Sequence, residues 1–329
     1  MLPIDRKTIR FLSHMGARGV LGQAVYDLAK DGKAFYAISA DLSRASGFER
    51  LKKEFPEKVL NAGIAEANML GMASGLASSG IPVIATTWAT FASSRVADQV
   101  RNYMGFMKSN VKLIGLDSGF ENNKFGYSHT NGPDIAIMSS VPNILVLAPA
   151  DGIELYMSIV SAVEYNGPVY IRMTGGSRLP IIHNENYSFN LFNAEILRDG
   201  KDIVFISNGA ILSIVCNVAD KLNNLGHSCK IINMHTMNPM DCSVLQGIIS
   251  ASLIVTVEEH PRNGGLGSMI ASYCAEIGNY PPLELITSKD EFTPAGSYEY
   301  ALAYNNLDED SIMNRVVERL KMLSQKYDK

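Results

Sequence analysis

Several signatures of common enzyme and binding classes are missing from this chain. Its four cysteines, Cys216, Cys229, Cys242 and Cys274, form no C-x-x-C pair. That excludes a dithiol redox motif and a cysteine-built zinc site, and the thiols read as free groups in a reducing compartment. No apolar run reaches the roughly 18 residues needed to span a bilayer. The first residues, Met1 to Lys7, carry charge in place of an apolar leader. A cytoplasmic protein without membrane contact is expected. Net charge is −4, which gives no electrostatic case for nucleic acid as the main partner. Neither G-x-G-x-x-G nor G-x-x-x-x-G-K-[ST] occurs, so the common phosphate-cradling loops are absent. The six histidines are scattered without zinc-type spacing, and no metal site is expected in this chain.

What is present is an α/β pattern. Hydrophobic residues make up 47% and charged residues 19%, a balance that suits a globular chain with a large core. Strands are predicted at residues 35–39, 82–86, 111–116, 144–148 and 168–172, each short, β-branched or aromatic, and bounded by Gly, Pro or polar residues. Helices are predicted at 66–79 and 151–165, the second opening on an N-cap aspartate, Asp151, with Glu154 in its first turn. Such alternation argues for mostly parallel sheets covered by helices. Residues 181–194 are rich in Asn, Ser and Pro and read as a linker between a first domain, 1–180, and a second, 195–329. In the second domain, strands fit 202–207, 229–234 and 253–257, and helices fit 211–225, 266–277 and 311–324. The segment Gly264-Gly265-Leu266-Gly267 opens a helix, where it either packs a tight turn or receives an anion. His235 and His260 read as structural.

One series of motifs is more specific. Gly63-Ile64-Ala65-Glu66 precedes a small-residue helix, followed by Gly75-Leu76-Ala77, Trp88-Ala89-Thr90-Phe91 and Asp98-Gln99. Further along come Gly126-Tyr127-Ser128-His129, Leu147-Ala148-Pro149-Ala150-Asp151, Pro168 to Arg172, Met234 to Asp241 and Val257-Glu258-Glu259-His260. A glutamate in a first helical turn is by itself usually a dipole residue. In this order and spacing, though, the series resembles the transketolase family, from its pyrimidine-binding domain into its C-terminal domain. That family includes deoxyxylulose-phosphate synthases and the β subunits of 2-oxo acid dehydrogenases.

The resemblance implies thiamine diphosphate as cofactor. Glu66 would hydrogen-bond the N1′ atom of its aminopyrimidine, and Trp88 and Phe91 would pack on that ring. Asp41-Leu42 matches an Asp-Leu near the cofactor. Arg18 and Arg172 match two arginines that hold a substrate phosphate, a task suited to a guanidinium fork. The alternatives are a helix-surface Arg18 and an interdomain salt bridge at Arg172. His129 would face the reacting carbonyl or hydroxyl. Phe125 is a departure, since it stands where transketolases usually carry an aspartate that faces a sugar hydroxyl. An altered acceptor is therefore expected.

The family's G-D-G…N segment, which binds Mg2+ or Ca2+ and through it the diphosphate, is absent: Asp31-Gly32, Asp151-Gly152 and Asp199-Gly200 all lack the preceding glycine. The resemblance therefore implies one half of a split transketolase, acting on sugar phosphates. A partner chain would carry the diphosphate-binding domain in an α2β2 assembly. Two rival readings stay open at this point: a split 2-oxo acid dehydrogenase or decarboxylase subunit, and a noncatalytic scaffold subunit.

Overall fold

A computed structural model describes residues 1–130 and 132–327. In chain order the strands are β1 (Tyr36–Ser39), β2 (Val59–Asn61), β3 (Val83–Trp88), β4 (Val111–Leu116), β5 (Leu145–Leu147) and β6 (Val169–Arg172). They continue with β7 (Glu195–Arg198), β8 (Ile203–Ser207), β9 (Cys229–Asn233), β10 (Thr236–Asn238), β11 (Leu253–Pro261) and β12 (Leu283–Ser288). The principal helices are α1 (Arg6–Lys30), α2 (Glu66–Ala77), α3 (Asp134–Ser139), α4 (Gly152–Glu164), α5 (Leu212–Asn224), α6 (Leu266–Ile277) and α7 (Glu309–Tyr327).

The strands form two sheets. The first has the order β10-β5-β6-β4-β3-β1-β2 and the second β12-β11-β8-β9-β7. Every pairing is parallel except β10 on β5 and β7 on β9. Parallel strands need crossover connections, and helices supply them, so the strands are buried on both faces. The sequence pattern follows: β4 and β6 are buried at every position. The expected architecture of two α/β units with mostly parallel sheets is the one observed.

The sequence pattern found the apolar strands and missed others. The edge strands β2, β7 and β12 are only partly buried, and β10 is three residues long, so none shows a strong apolar run. The long helix α1 was also missed. Its N-cap Asp5 accepts from the Thr8 amide at 2.7 Å, but Gly16, at φ 67°, breaks the helical course and blurs the period. Strand β10 comes from the C-terminal part of the chain yet completes the first sheet. The two units therefore share backbone hydrogen bonds.

A buried ionic tie reinforces that join. The Arg172 side chain, 1% exposed, donates from Nε to both oxygens of Asp134 at 3.1 and 3.0 Å. Its Nη2 donates to the Glu259 carbonyl on β11 at 2.5 Å. Tyr170 donates its hydroxyl to the same Asp134 at 2.8 Å. The expectation that Arg172 grips a substrate phosphate is thereby corrected. The guanidinium is spent inside the protein, on an aspartate of the first unit and a carbonyl of the second.

The glycines of 264–267 are explained in the same region. Glu258, fully buried, accepts from the Leu266 and Gly267 amides at 2.7 and 2.8 Å. The helix N-terminus does receive an anion, and the anion is the protein's own carboxylate. A Cβ at Gly265 or Gly267 would collide with Glu258, His260 or Thr256, so tight packing holds as well. His260 is also structural. Its Nδ1 donates to the Pro261 carbonyl at 2.7 Å, and burial pushes its pKa down to about 4.

The Arg172 tie gives a first prediction. Arg172→Met leaves Asp134 buried without its countercharge and should cost about 3–5 kcal/mol in urea unfolding. The double replacement Arg172→Met with Asp134→Leu should recover most of that loss. A single variant as stable as wild type would contradict the assignment.

Candidate active site

Parallel sheets present ligands at the carboxyl ends of their strands, because that is where the helix N-termini and the connecting loops gather. Asp41, Glu66 and Trp88, singled out by sequence, lie along that edge, and Asp117 joins them there. Asp41 follows β1, Glu66 follows β2, Trp88 ends β3 and Asp117 follows β4. The order β2-β1-β3-β4 sets them side by side.

Glu66 starts α2 and is 5% exposed. Its Oε1 accepts from Nη1 of Arg95 at 3.0 Å. Among the described residues its second oxygen, Oε2, has no hydrogen bond. Arg95 in turn lies over the Phe91 ring, its guanidinium carbon 3.7 Å from the centroid. Phe91 meets the His129 ring edge-on at 5.0 Å, and Trp88 meets it at 6.4 Å. Phe125 also meets the His129 ring, tilted, at 5.5 Å. The Arg18 guanidinium sits 5.0 Å over Trp88. The result is one connected array running from Arg18 through Trp88, His129 and Phe91 to Arg95 and Glu66. Such cation–π and edge-to-face contacts fix ring orientation at about 0.5–1.5 kcal/mol each.

His129 is half-buried, with Nδ1 3.0 Å from the Ser128 hydroxyl. Its Nε2 has no hydrogen bond among the described residues. Asp41 adopts φ 58°, and its amide and carboxylate both bond the Asn61 side chain, at 3.0 and 2.8 Å. Asn61 also accepts from the Gly63 amide at 3.0 Å, so Asp41 steadies the turn that leads into Glu66. Leu42 is partly buried and packs on the core of the first unit.

Arg18 is positioned by a break in α1. Gly16 has a left-handed φ, and a Cβ there would lie 2.7 Å from the Ser177 carbonyl. This close approach brings α1 against residues 176–177 and aims Arg18 at the strand ends. Arg18 donates from Nε to Asp117 at 3.1 Å and pairs again through Nη2. Its charge is thus already met by a carboxylate. Glu121 stands close by, against Gly176, whose missing side chain makes the room. Burial, together with Asp117 and Glu259, pushes the Glu121 carboxyl up to about 7.

Sequence reasoning missed Arg95, Asp117, Glu121 and Asp134. Arg95 follows Phe91 by four residues, the spacing that puts two side chains on one helical face. Asp117 ends the apolar run of β4, where a carboxylate at the carboxyl end of a parallel strand is itself a signal.

The raised Glu121 pKa sets a pH dependence. A carboxyl whose folded pKa exceeds its unfolded value stabilises the fold most at low pH. That contribution is lost as pH rises from about 4.5 through 7. Glu121→Gln should remove this slope, so that its melting temperature relative to wild type is higher at pH 8 than at pH 5. Parallel melting curves for the two proteins across this window would contradict the placement of Glu121.

Comparison with known proteins identifies the family. Residues 13–177 match the transketolase pyrimidine-binding domain, and residues 193–312 match the transketolase C-terminal domain. A Methanocaldococcus jannaschii protein whose name describes a transketolase C-terminal section is 36% identical, over 94% of this chain and 97% of its own length. The 6-deoxy-6-sulfo-D-fructose transketolase subunit of Clostridium sp. strain MSTE9 is 33% identical, over 83% of this chain and 85% of its own. Among solved structures, a split-gene transketolase described as an inactive β4 tetramer superposes with a TM-score of 0.84 at 28% identity. That match covers 93% of this chain and 99% of the other. This chain belongs to the transketolase family, with that family's pyrimidine-binding domain followed by its C-terminal domain.

Proposed function

We propose that this chain is the C-terminal subunit of a split transketolase. Together with a diphosphate-binding partner chain it would transfer a two-carbon ketol unit from a ketose to an aldose or other carbonyl acceptor. The observation that carries this reading is the buried Glu66 carboxylate, one oxygen unused among the described residues, beside an aromatic platform at the carboxyl ends of a parallel sheet.

Thiamine diphosphate fits these residues. Oε2 of Glu66 can meet a ring nitrogen, and Trp88 and Phe91 offer faces for an aminopyrimidine. When bound, that cofactor supplies an electron sink for breaking and forming carbon–carbon bonds. The chain's own groups do the rest. Glu66 holds a proton at the ring nitrogen, and Arg95 fixes the carboxylate through Oε1. Asp41 and Leu42 shape the strand end beside it. His129 offers Nε2 to a substrate hydroxyl or carbonyl, where it can bear or pass a proton. Phe125 walls this side with carbon in place of a hydroxyl acceptor, which favours an acceptor unlike the usual aldose phosphates.

The case for a phosphorylated substrate is weaker than the sequence implied. Arg172 is spent in the core, and Arg18 is held by Asp117. A phosphate reaching Arg18 would have to displace that aspartate.

Support for a composite site comes from what the chain leaves bare. Ile64 next to Glu66 is 81% exposed, and Phe125 and Tyr127 are 57% and 65% exposed. Large apolar groups around a catalytic carboxylate mark a face that another protein covers. The similar split-gene transketolase, described as an inactive β4 tetramer, supports the same need for a partner, which would also hold the diphosphate and its Mg2+ or Ca2+.

The test is reconstitution. The isolated chain should show no turnover. With a diphosphate-binding partner, thiamine diphosphate, a divalent cation and a ketose–aldose pair, ketol transfer should appear. Glu66→Gln should then lower kcat by about 100-fold or more. Consumption of a 2-oxo acid in place of the ketose would contradict the proposal, as would an unchanged rate in Glu66→Gln.

A further inference from the structure

A second cluster of chemistry-bearing groups lies away from the strand-end array, where α4, residues 181–194, β7 and the turn between β9 and β10 meet. Glu154 on α4 and His183 are buried, and Glu195 on β7 is half-buried. One ligand atom from each of these three lies within 4.8 Å of the others. His183 Nε2 is 2.8 Å from Glu195 Oε2 and 3.8 Å from Glu154 Oε1. A second imidazole meets the same carboxylate: His235 Nδ1 is 3.4 Å from Glu154 Oε1.

The outer contacts of the two imidazoles are informative. His235 Nε2 faces the Asn190 carbonyl at 2.8 Å, and a carbonyl only accepts, so Nε2 carries the proton. In the neutral ring, Nδ1 then turns a bare lone pair toward a carboxylate. His235 is 2% exposed, and its Nδ1 has no hydrogen-bond partner. On the other ring, His183 Nδ1 lies 2.9 Å from Asp151 Oδ2. Each imidazole thus points one nitrogen inward at Glu154 and sets the other against an outer oxygen. Metal-bound histidines are oriented in this way.

The charge balance asks for a cation as well. Asp151, Glu154 and Glu195 bring three negative charges, and two protonated histidines would bring two positive ones. Even then the cluster keeps a net charge of −1. Tyr187 and Asn233 donate to Glu154 Oε1 at 2.9 and 2.8 Å, and the Ala150 amide donates to Oε2 at 2.7 Å, but these groups are neutral. Arg198, the nearest cation on the adjoining cavity wall, donates to Asp220 at 2.5 Å. Unbalanced charge is costly away from water. The cavity, about 510 Å³ and lined in part by His183, Tyr187 and Glu195, leads to the cluster from solvent.

We propose that Glu154, His183 and Glu195 bind one divalent d-block cation, zinc by donor set, as a staple between the two units of the chain, with His235 set against the Glu154 carboxylate. One imidazole nitrogen and two carboxylate oxygens, with a water in the fourth position, suit Zn2+. Zinc bonds of about 2.0–2.1 Å in a tetrahedron place ligand atoms roughly 3.3 Å apart. The contacts of His183 with Glu195 and Glu154, 2.8 and 3.8 Å, bracket that spacing. The site is separate from the Glu66 array and independent of the proposed activity.

The experiment uses the full chain, stripped of metal by chelator and dialysed. Titration with Zn2+ against a chromophoric chelator should show one site per chain with a micromolar or tighter Kd. Zn2+, but not Mg2+, should raise the melting temperature by several degrees. Co2+ in its place should give the visible absorption of a tetrahedral complex. Glu195→Gln, at a partly exposed position that tolerates the change, should bind at least tenfold more weakly while keeping the wild-type circular dichroism. His183→Asn should act in the same direction. Absence of zinc binding in the stripped protein would overturn the proposal. So would zinc binding that neither substitution weakens, since the ion would then sit elsewhere.

Discussion

The structure depends on the register of a parallel sheet. Ser39 pairs with both Asn61 and Thr86, and Trp88 pairs with Leu116. Those pairings align the carboxyl ends of β2, β1, β3 and β4. Asp41, Glu66, Trp88 and Asp117 then stand in one row although they are roughly 20–30 residues apart in the chain. A one-residue slip in any of these strands would turn its side chains to the opposite face and dissolve the row. The catalytic reading rests on this backbone constraint before it rests on any side-chain contact.

A second constraint holds the row against the rest of the molecule. The C-terminal unit lends β10 to the first sheet and offers the Glu259 carbonyl to Arg172, while its Asn233 reaches Glu154 on α4. Buried charges are expensive unless they are paired and fully hydrogen-bonded. Here several of them sit at the junction of the two units: Arg172 with Asp134, Glu258 on the α6 amides, and Glu154 with its three hydrogen-bond donors. The C-terminal unit therefore does more than cover surface, because it completes the polar network under the strand ends.

The fold was legible in the sequence where burial on both faces left continuous apolar runs, as in β4, β6, β8 and the first half of β11. It was not legible at β2, β7 and β12, whose exposed sides dilute the pattern, or at α1, which Gly16 interrupts. Within the site, Glu66, Trp88, Phe91 and His129 could be found by motif, and the structure gathers Trp88, Phe91, Phe125 and His129 around a common centre. Arg172 could be found but was misassigned, because its partner Asp134 is 38 residues away and only the fold brings them together. The cluster around His183 was invisible for the same reason. Glu154, His183 and Glu195 come from α4, residues 181–194 and β7, and zinc-type spacing in sequence catches only ligands that share one turn or one helix.

The composite site is the central claim. In this chain Glu66 leans on Arg95, and Ile64, two residues before it, is exposed. A structure of the chain assembled with its diphosphate-binding partner and thiamine diphosphate tests the claim most directly. The account predicts a Glu66 oxygen within hydrogen-bonding distance of the pyrimidine ring nitrogen, about 2.7–3.2 Å, with the diphosphate and its metal held wholly by the partner and Ile64 buried in the joint. A cofactor bound entirely within one chain, or placed out of reach of Glu66, would contradict it.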